Sequence, residues 1–187
     1  AHDPSAGRDA GNTVTARADV VETLGSEIFA HLTFGAHSIV ARMEVAEHLP
    51  PSASASLVDA LVKLAPVVVF AAAVPGQGGD GHVNEASQHE WAARFARRGH
   101  RPVDELRLRI WNREEVEFWY RQNCIVYASD AGLRSHPLLE ELERITARRG
   151  VVDLVHPALF LLKVRALEAM QASRSWKLAT VLQRAAK

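Results

Sequence analysis

Glu44, Glu47 and His48 are the residues whose types and spacing most directly suggest chemistry. If their turn is helical, positions i, i+3 and i+4 share one face, and two carboxylates converge with one imidazole. An oxygen-rich set with a single nitrogen suits Mg²⁺ or Mn²⁺ better than zinc. An ion held there would favour the deprotonated form of a substrate hydroxyl. His82 is the fourth candidate ligand, because its loop follows a predicted strand and could reach the same pocket. Glu44 and His48 are also the candidate catalytic residues, with His48 able to act as general base because an imidazole titrates near neutral pH. A plainer alternative stays open: Glu44 packs at a strand end, and Glu47 and His48 form the solvated first turn of a helix.

The loop that carries His82 is rich in glycine, and Gly76, Gly78, Gly79, Gly81, His82 and Glu85 form a candidate substrate loop. Gly76, Gly78 and Gly81 satisfy a G-x-G-x-x-G string directly after the strand, as in dinucleotide-binding turns. That fingerprint needs a helix to open at its third glycine, whereas the next helix start here is the capping box of Ser87 and Glu90. The loop therefore reads as a flexible lid over a pocket, or as a simple structural connection. Trp91, Trp111, Trp119 and Tyr120 sit at apolar spacings that favour core packing, with Trp111 and Tyr120 alternatively lining a pocket mouth. Arg97-Arg98 and Arg148-Arg149 precede glycines and read as solvated helix caps. Cys124 has no neighbour in sequence that would activate it.

The elements that must position these groups follow from periodicity. TVTARADVVETL, EIFAHLTF and SIVARM are β-branched or alternating runs, expected to form a small antiparallel meander. Pro50-Pro51-Ser52 announces a helix with Ser52 as N-cap, and Leu57, Val58, Leu61, Val62 and Leu64 recur at helical spacing to give it an apolar face. PVVVFAAAV is continuous enough for a strand buried on both faces. A helix from Ser87 follows, then VDELRLRIW as an alternating strand, Glu114–Gln122 as a short helix and CIVYA as a strand. Two helices close the chain, Pro137–Arg148 and Pro157–Ala185, the second broken near Ser173. The expected fold is α/β, an open sheet with flanking helices preceded by the meander.

Composition narrows the function classes. Lys plus Arg and Asp plus Glu are both 22 among 187 residues, so no net charge draws the chain to nucleic acid or an anionic membrane. One cysteine permits neither an internal disulfide nor a thiolate metal cluster. The longest wholly apolar run, Ala65–Pro75, is far shorter than the roughly 20 residues of a membrane helix. The N-terminus has no apolar signal region, and a cytoplasmic location is expected.

Three segments carry a family resemblance. SIVARMEVAEHLP resembles the fourth strand and following loop of class I S-adenosylmethionine-dependent methyltransferases. VVVFAAAVPGQGGDGHVNE resembles the fifth strand and substrate-side loop, and WAARFARRGHRPVDELRLRIW with EFWYRQNCIVYA resembles the closing helix and final strand pair. Together they cover residues from about 38 to 163, the C-terminal half of such a domain. Some methyltransferases with the E-x-x-E-H phrase hold a divalent metal there to orient vicinal oxygens on the substrate. Upstream, residues 13–43 more weakly resemble the TOBE-type β module of sugar-importer ABC ATPases.

The resemblance implies a Rossmann-like half-domain over residues 38–130, after a tail at 1–12 and a meander at 13–37, with C-terminal helices at 131–187. It implies S-adenosylmethionine as methyl donor, Mg²⁺ or Mn²⁺ as metal, and a small molecule as acceptor. Nucleic acid and membrane are not expected partners. The family's D/E-x-G-x-G turn is missing upstream of Ser38, so no residue is assigned to the donor. Missing strands would leave a sheet edge exposed to self-association. The competing expectation is a non-catalytic binding or interaction module from a truncated or fused gene.

Overall fold

The computed structural model describes residues 17–24, 27–34, 37–43, 45–151 and 153–185. Glu44 and the tail at 1–12 lie outside the described residues. Among the described residues six strands form one sheet: β1 (Arg17–Leu24), β2 (Glu27–Phe34), β3 (His37–Met43), β4 (Val67–Ala71), β5 (His100–Val103) and β6 (Ile125–Ser129). Their spatial order is β1-β2-β3-β4-β6-β5. The first three pair antiparallel, as the alternating runs predict. β3 then pairs parallel with β4, with Val40 opposite Val68, and β6 lies antiparallel between β4 and β5.

Among the described residues there are eight α-helices: α1 (Ser54–Leu64), α2 (Gln88–Ala96), α3 (Leu106–Ile110), α4 (Phe118–Asn123), α5 (Asp130–Ser135), α6 (Pro137–Arg149), α7 (Pro157–Ala172) and α8 (Arg174–Ala185). The two-residue period of β4 and β6 sorts the core into two layers. Val68 and Phe70 of β4 join Ile125 and Tyr127 of β6 in a cluster with Leu57, Val58 and Leu61 of α1 and Trp91 and Phe95 of α2. Val67, Val126 and Ala128 face the other way, toward Leu133 of α5 and Leu139 and Leu142 of α6. The apolar run at Val67–Ala71 is thus buried on both faces, as its continuity implies. Phe95 and Tyr127 stack with ring centroids 3.9 Å apart and planes 6° from parallel. Truncating Phe95 to alanine would cost about 3–5 kcal/mol at such a site.

Four sequence expectations need correction. The VDELRLRIW segment is not a strand: β5 stops at Val103, and Leu106–Ile110 is helical. Its alternation misled because Arg107, on the supposed polar face, is fully buried, whereas Leu108 is 40% exposed. Asp104 takes Arg107 in a fork, with Nη2 donating to Oδ2 at 2.6 Å, and the i, i+3 pair lies inside the turn. Ser52 does not cap α1; it lies in a 3-10 turn at Pro51–Ala53, which leads directly into Ser54. The helix expected at Glu114–Gln122 is shorter, beginning at Phe118 after exposed Glu114, Glu115 and Glu117.

The last correction concerns the arginines and aromatics. Arg98 is no solvated cap: it donates to Asp59 of α1, to the Arg94 carbonyl at 2.9 Å and to the Ala55 carbonyl at 3.0 Å. Arg149 likewise pairs with Glu105 at 2.9 Å. Of the aromatics, Trp91 is core, whereas Trp111, Trp119 and Tyr120 are half-buried. By contrast, the capping box of Ser87 and Glu90 forms as read, with both reciprocal bonds present.

Candidate functional site

Parallel pairing of β3 and β4 sends the segments after both strands out of the same sheet edge. Open α/β sheets bind ligands at that edge. After β3 comes a 3-10 turn, Ala46–His48, closed by the His48 amide on the Val45 carbonyl at 3.0 Å. After β4 comes the glycine-rich loop, which folds back over that turn. The Glu47 carbonyl accepts from the Val83 amide at 2.8 Å and the Asn84 amide at 3.0 Å. Buried Asn84 also donates its side-chain amide to the Ala46 carbonyl at 3.0 Å and to Ser54 Oγ at 2.9 Å.

These ties bring Glu47, His48 and His82 together, with one ligand atom from each lying within 4.8 Å of the others. Glu47 is fully buried, so the solvated-turn alternative does not hold for it. The two histidine rings meet edge to face, centroids 4.9 Å apart. Glu44, the remaining candidate ligand and catalytic residue, falls outside the described residues.

Glu85 organises the loop. Its carboxylate accepts from the Gly76 amide at 2.7 Å and the Gly78 amide at 2.6 Å. The same carboxylate lies 3.0 Å from His82 Nδ1. A carboxylate partner places the proton on Nδ1 and leaves Nε2 as the lone-pair nitrogen, the arrangement found behind metal-binding histidines. Burial works against the Glu85 charge, but the bonds from His82, Gly78 and Gly76 outweigh it and hold the carboxyl below its ordinary value of 4.5.

The glycines have distinct reasons. Gly76, Gly78 and Gly81 adopt φ of 80°, 73° and 74°, which favours glycine. At Gly79 the reason is space: a β-carbon there would stand 2.3 Å from His82 Nε2.

Several organising residues carry no local signal. Gln77 Oε1 accepts from Gln122 at 3.0 Å and from Asn123 at 2.9 Å, fixing the loop to the end of α4. Gln122 Oε1 accepts from the His156 amide at 2.7 Å, and Gln88 exchanges side-chain bonds with the Leu154 backbone. His156 caps α7: Nδ1 accepts from the Ala158 amide at 3.2 Å, so Nε2 carries the proton and donates to the Trp111 carbonyl at 3.1 Å. Only the Gln-Asn of the WYRQN phrase hinted at this buried network. Burial pushes the Cys124 thiol up to about 12, away from the thiolate form.

One buried carboxylate with two imidazoles is a reasonable donor set for a divalent transition ion. Among the described residues the set holds two nitrogens to one carboxylate, which suits Mg²⁺ less well than the oxygen-rich set expected from the sequence. No helix among the described residues is long and apolar enough to cross a membrane. No family model, no curated protein and no solved structure matches the chain.

Proposed function

We propose that this protein is methyltransferase-like and that its described residues form the acceptor side of an S-adenosylmethionine-dependent reaction on a small molecule. The observation that carries this reading is the convergence of Glu47, His48 and His82 at the ligand-binding edge of parallel strands. The order β3-β4-β6-β5 supports it, since these strands correspond to the segments that resemble the fourth strand, the fifth strand and the final strand pair.

Glu47, His48 and His82 would hold the ion, Mn²⁺ in preference to Mg²⁺. When bound, it supplies Lewis acidity that lowers the pKa of an acceptor hydroxyl. Glu85 keeps His82 in one tautomer and one orientation. As the alternative to ligating the ion, His48, half-buried beside it, would take the acceptor's proton on a ring nitrogen. The glycine loop covers the acceptor and limits water around it.

The methyl donor does not fit the described residues in the same way. Beside β3 stands β2, an antiparallel partner ending at Phe34 just before β3 begins at His37. β2 takes the place beside β3 but runs antiparallel, starting rather than ending at the edge where a strand-to-helix glycine turn would be needed, and this favours a second reading, a metal-dependent binding module without catalysis. Isothermal titration with S-adenosylhomocysteine, with and without Mn²⁺, separates the two. Micromolar binding supports the enzyme. Binding of Mn²⁺ alone, by a folded sample that ignores S-adenosylhomocysteine, establishes the module and removes the enzyme.

A further inference from the structure

A second candidate site lies between α4 and α7. An apolar cavity of about 510 Å³ is lined by Phe118, Ala158, Leu161, Leu162 and Arg165. That volume falls within the roughly 300–1,000 Å³ typical of small-molecule sites. Its walls are hydrophobic except for one cation, and Arg165 has no hydrogen bond or ion pair among the described residues. A guanidinium without a carboxylate partner at the rim of an apolar cavity complements a ligand with a carboxylate at one end and a hydrocarbon body.

Both walls of the cavity connect to the candidate substrate loop. At the end of α4, which contributes Phe118, Gln122 and Asn123 hold Gln77 of the loop at 3.0 and 2.9 Å. On α7, Lys163 follows Leu162 and carries its ammonium over the loop, 3.2 Å from where a β-carbon on Gly78 would stand. Lys163 also has no hydrogen bond or ion pair among the described residues. Two α7 cations thus have no ion pair among the described residues, Arg165 at the cavity rim and Lys163 with its ammonium beside Gly78 of the loop.

We propose that this cavity binds an amphipathic carboxylic acid, its hydrocarbon body on Phe118, Ala158, Leu161 and Leu162 and its carboxylate on Arg165. Identifying that acid as the acceptor rests on the methyltransferase-like reading; the binding itself does not.

The probe is sodium decanoate, below its micellar concentration, titrated calorimetrically into the full chain without metal or methyl donor. Saturable binding is expected, at least about tenfold tighter than for decanol, a difference of about 1.4 kcal/mol. Arg165→Gln should weaken decanoate about tenfold and leave decanol unchanged. Ala158→Trp fills the cavity and should abolish binding; Leu162→Asp, at a position 51% exposed and so tolerant of change, should do the same by charge repulsion. Equal affinity for decanol, or undiminished binding in both cavity variants, would place the ligand on the exposed apolar faces of α7 and α8 and overturn the site. Decanoate binding alongside failure to bind Mn²⁺ would uphold the site and remove the metal-dependent reading.

Discussion

The side-chain amide of Gln122 donates to the side-chain Oε1 of Gln77 at 3.0 Å, joining residues 45 positions apart inside the protein. Gln122 also donates to Asn123 Oδ1 at 3.0 Å and accepts from the His156 amide, so one buried side chain couples the glycine loop, α4 and α7. Leucine fits the volume but removes all three bonds and strands the His156 amide. Gln122→Leu should cost about 2–4 kcal/mol, since each buried group left unsatisfied costs about 1–3 kcal/mol. Urea denaturation measures this, and a loss below about 0.5 kcal/mol would show that the network contributes little.

Glu85 gives the loop a defined acid response. Its folded-state pKa is lowered, so its stabilisation is complete above the ordinary value of 4.5 and disappears as pH falls through the lower folded value. Protection of the Gly76 and Gly78 amides, corrected for intrinsic exchange, should be flat from neutral pH down to 4.5 and fall below it. Glu85→Gln should show weaker protection throughout and no acid step. A wild-type profile that stays flat in acid would contradict the role given to this carboxylate.

Much of this organisation was legible in sequence wherever the signal is local. The Ser87–Glu90 capping box, the apolar run of β4 and the break at Ser173 each depend on neighbours within a few residues, and each forms as read. The sequence also nominated Glu47, His48 and His82, although the Ala46–His48 turn is 3-10 and the site depends on the fold-back of the loop. Asn84, which ties that loop to Ser54, was invisible because its partners are 30 and 38 residues away. The segment at Leu106–Ile110 failed for another reason: its period of two is genuine in sequence, but a buried ion pair outweighed it.

That ion pair supports a prediction of its own. Arg107 is fully buried and Asp104 is 1% exposed, with Arg149 Nη2 3.6 Å from the same carboxylate. Arg107→Met leaves the buried Asp104 carboxyl with only the more distant Arg149 as counter-charge and should cost about 3–5 kcal/mol. The double variant Asp104→Asn with Arg107→Met removes the stranded charge and should recover at least about 1 kcal/mol of that loss. Chemical denaturation of both decides; a double variant no more stable than the single one would mean that lost packing, not the uncompensated charge, sets the cost.

Gly79 offers a test that separates the site from the fold. Its φ is not among the positive values, so alanine meets no backbone penalty there, yet its β-carbon would stand 2.3 Å from His82 Nε2 and 2.5 Å from Cε1. Something must move, and the loop backbone is held at Gly76 and Gly78 by Glu85, so the imidazole is displaced. Because Nε2 is the nitrogen left free by the Glu85 bond, the displaced ring presents its lone pair elsewhere. Gly79→Ala should therefore weaken Mn²⁺ binding about tenfold or more while changing global stability by less than about 1 kcal/mol. Calorimetric Mn²⁺ titration beside urea denaturation reads both quantities on one sample. Unchanged affinity would mean that His82 is not a ligand, and the cluster would then lose one of its two imidazoles.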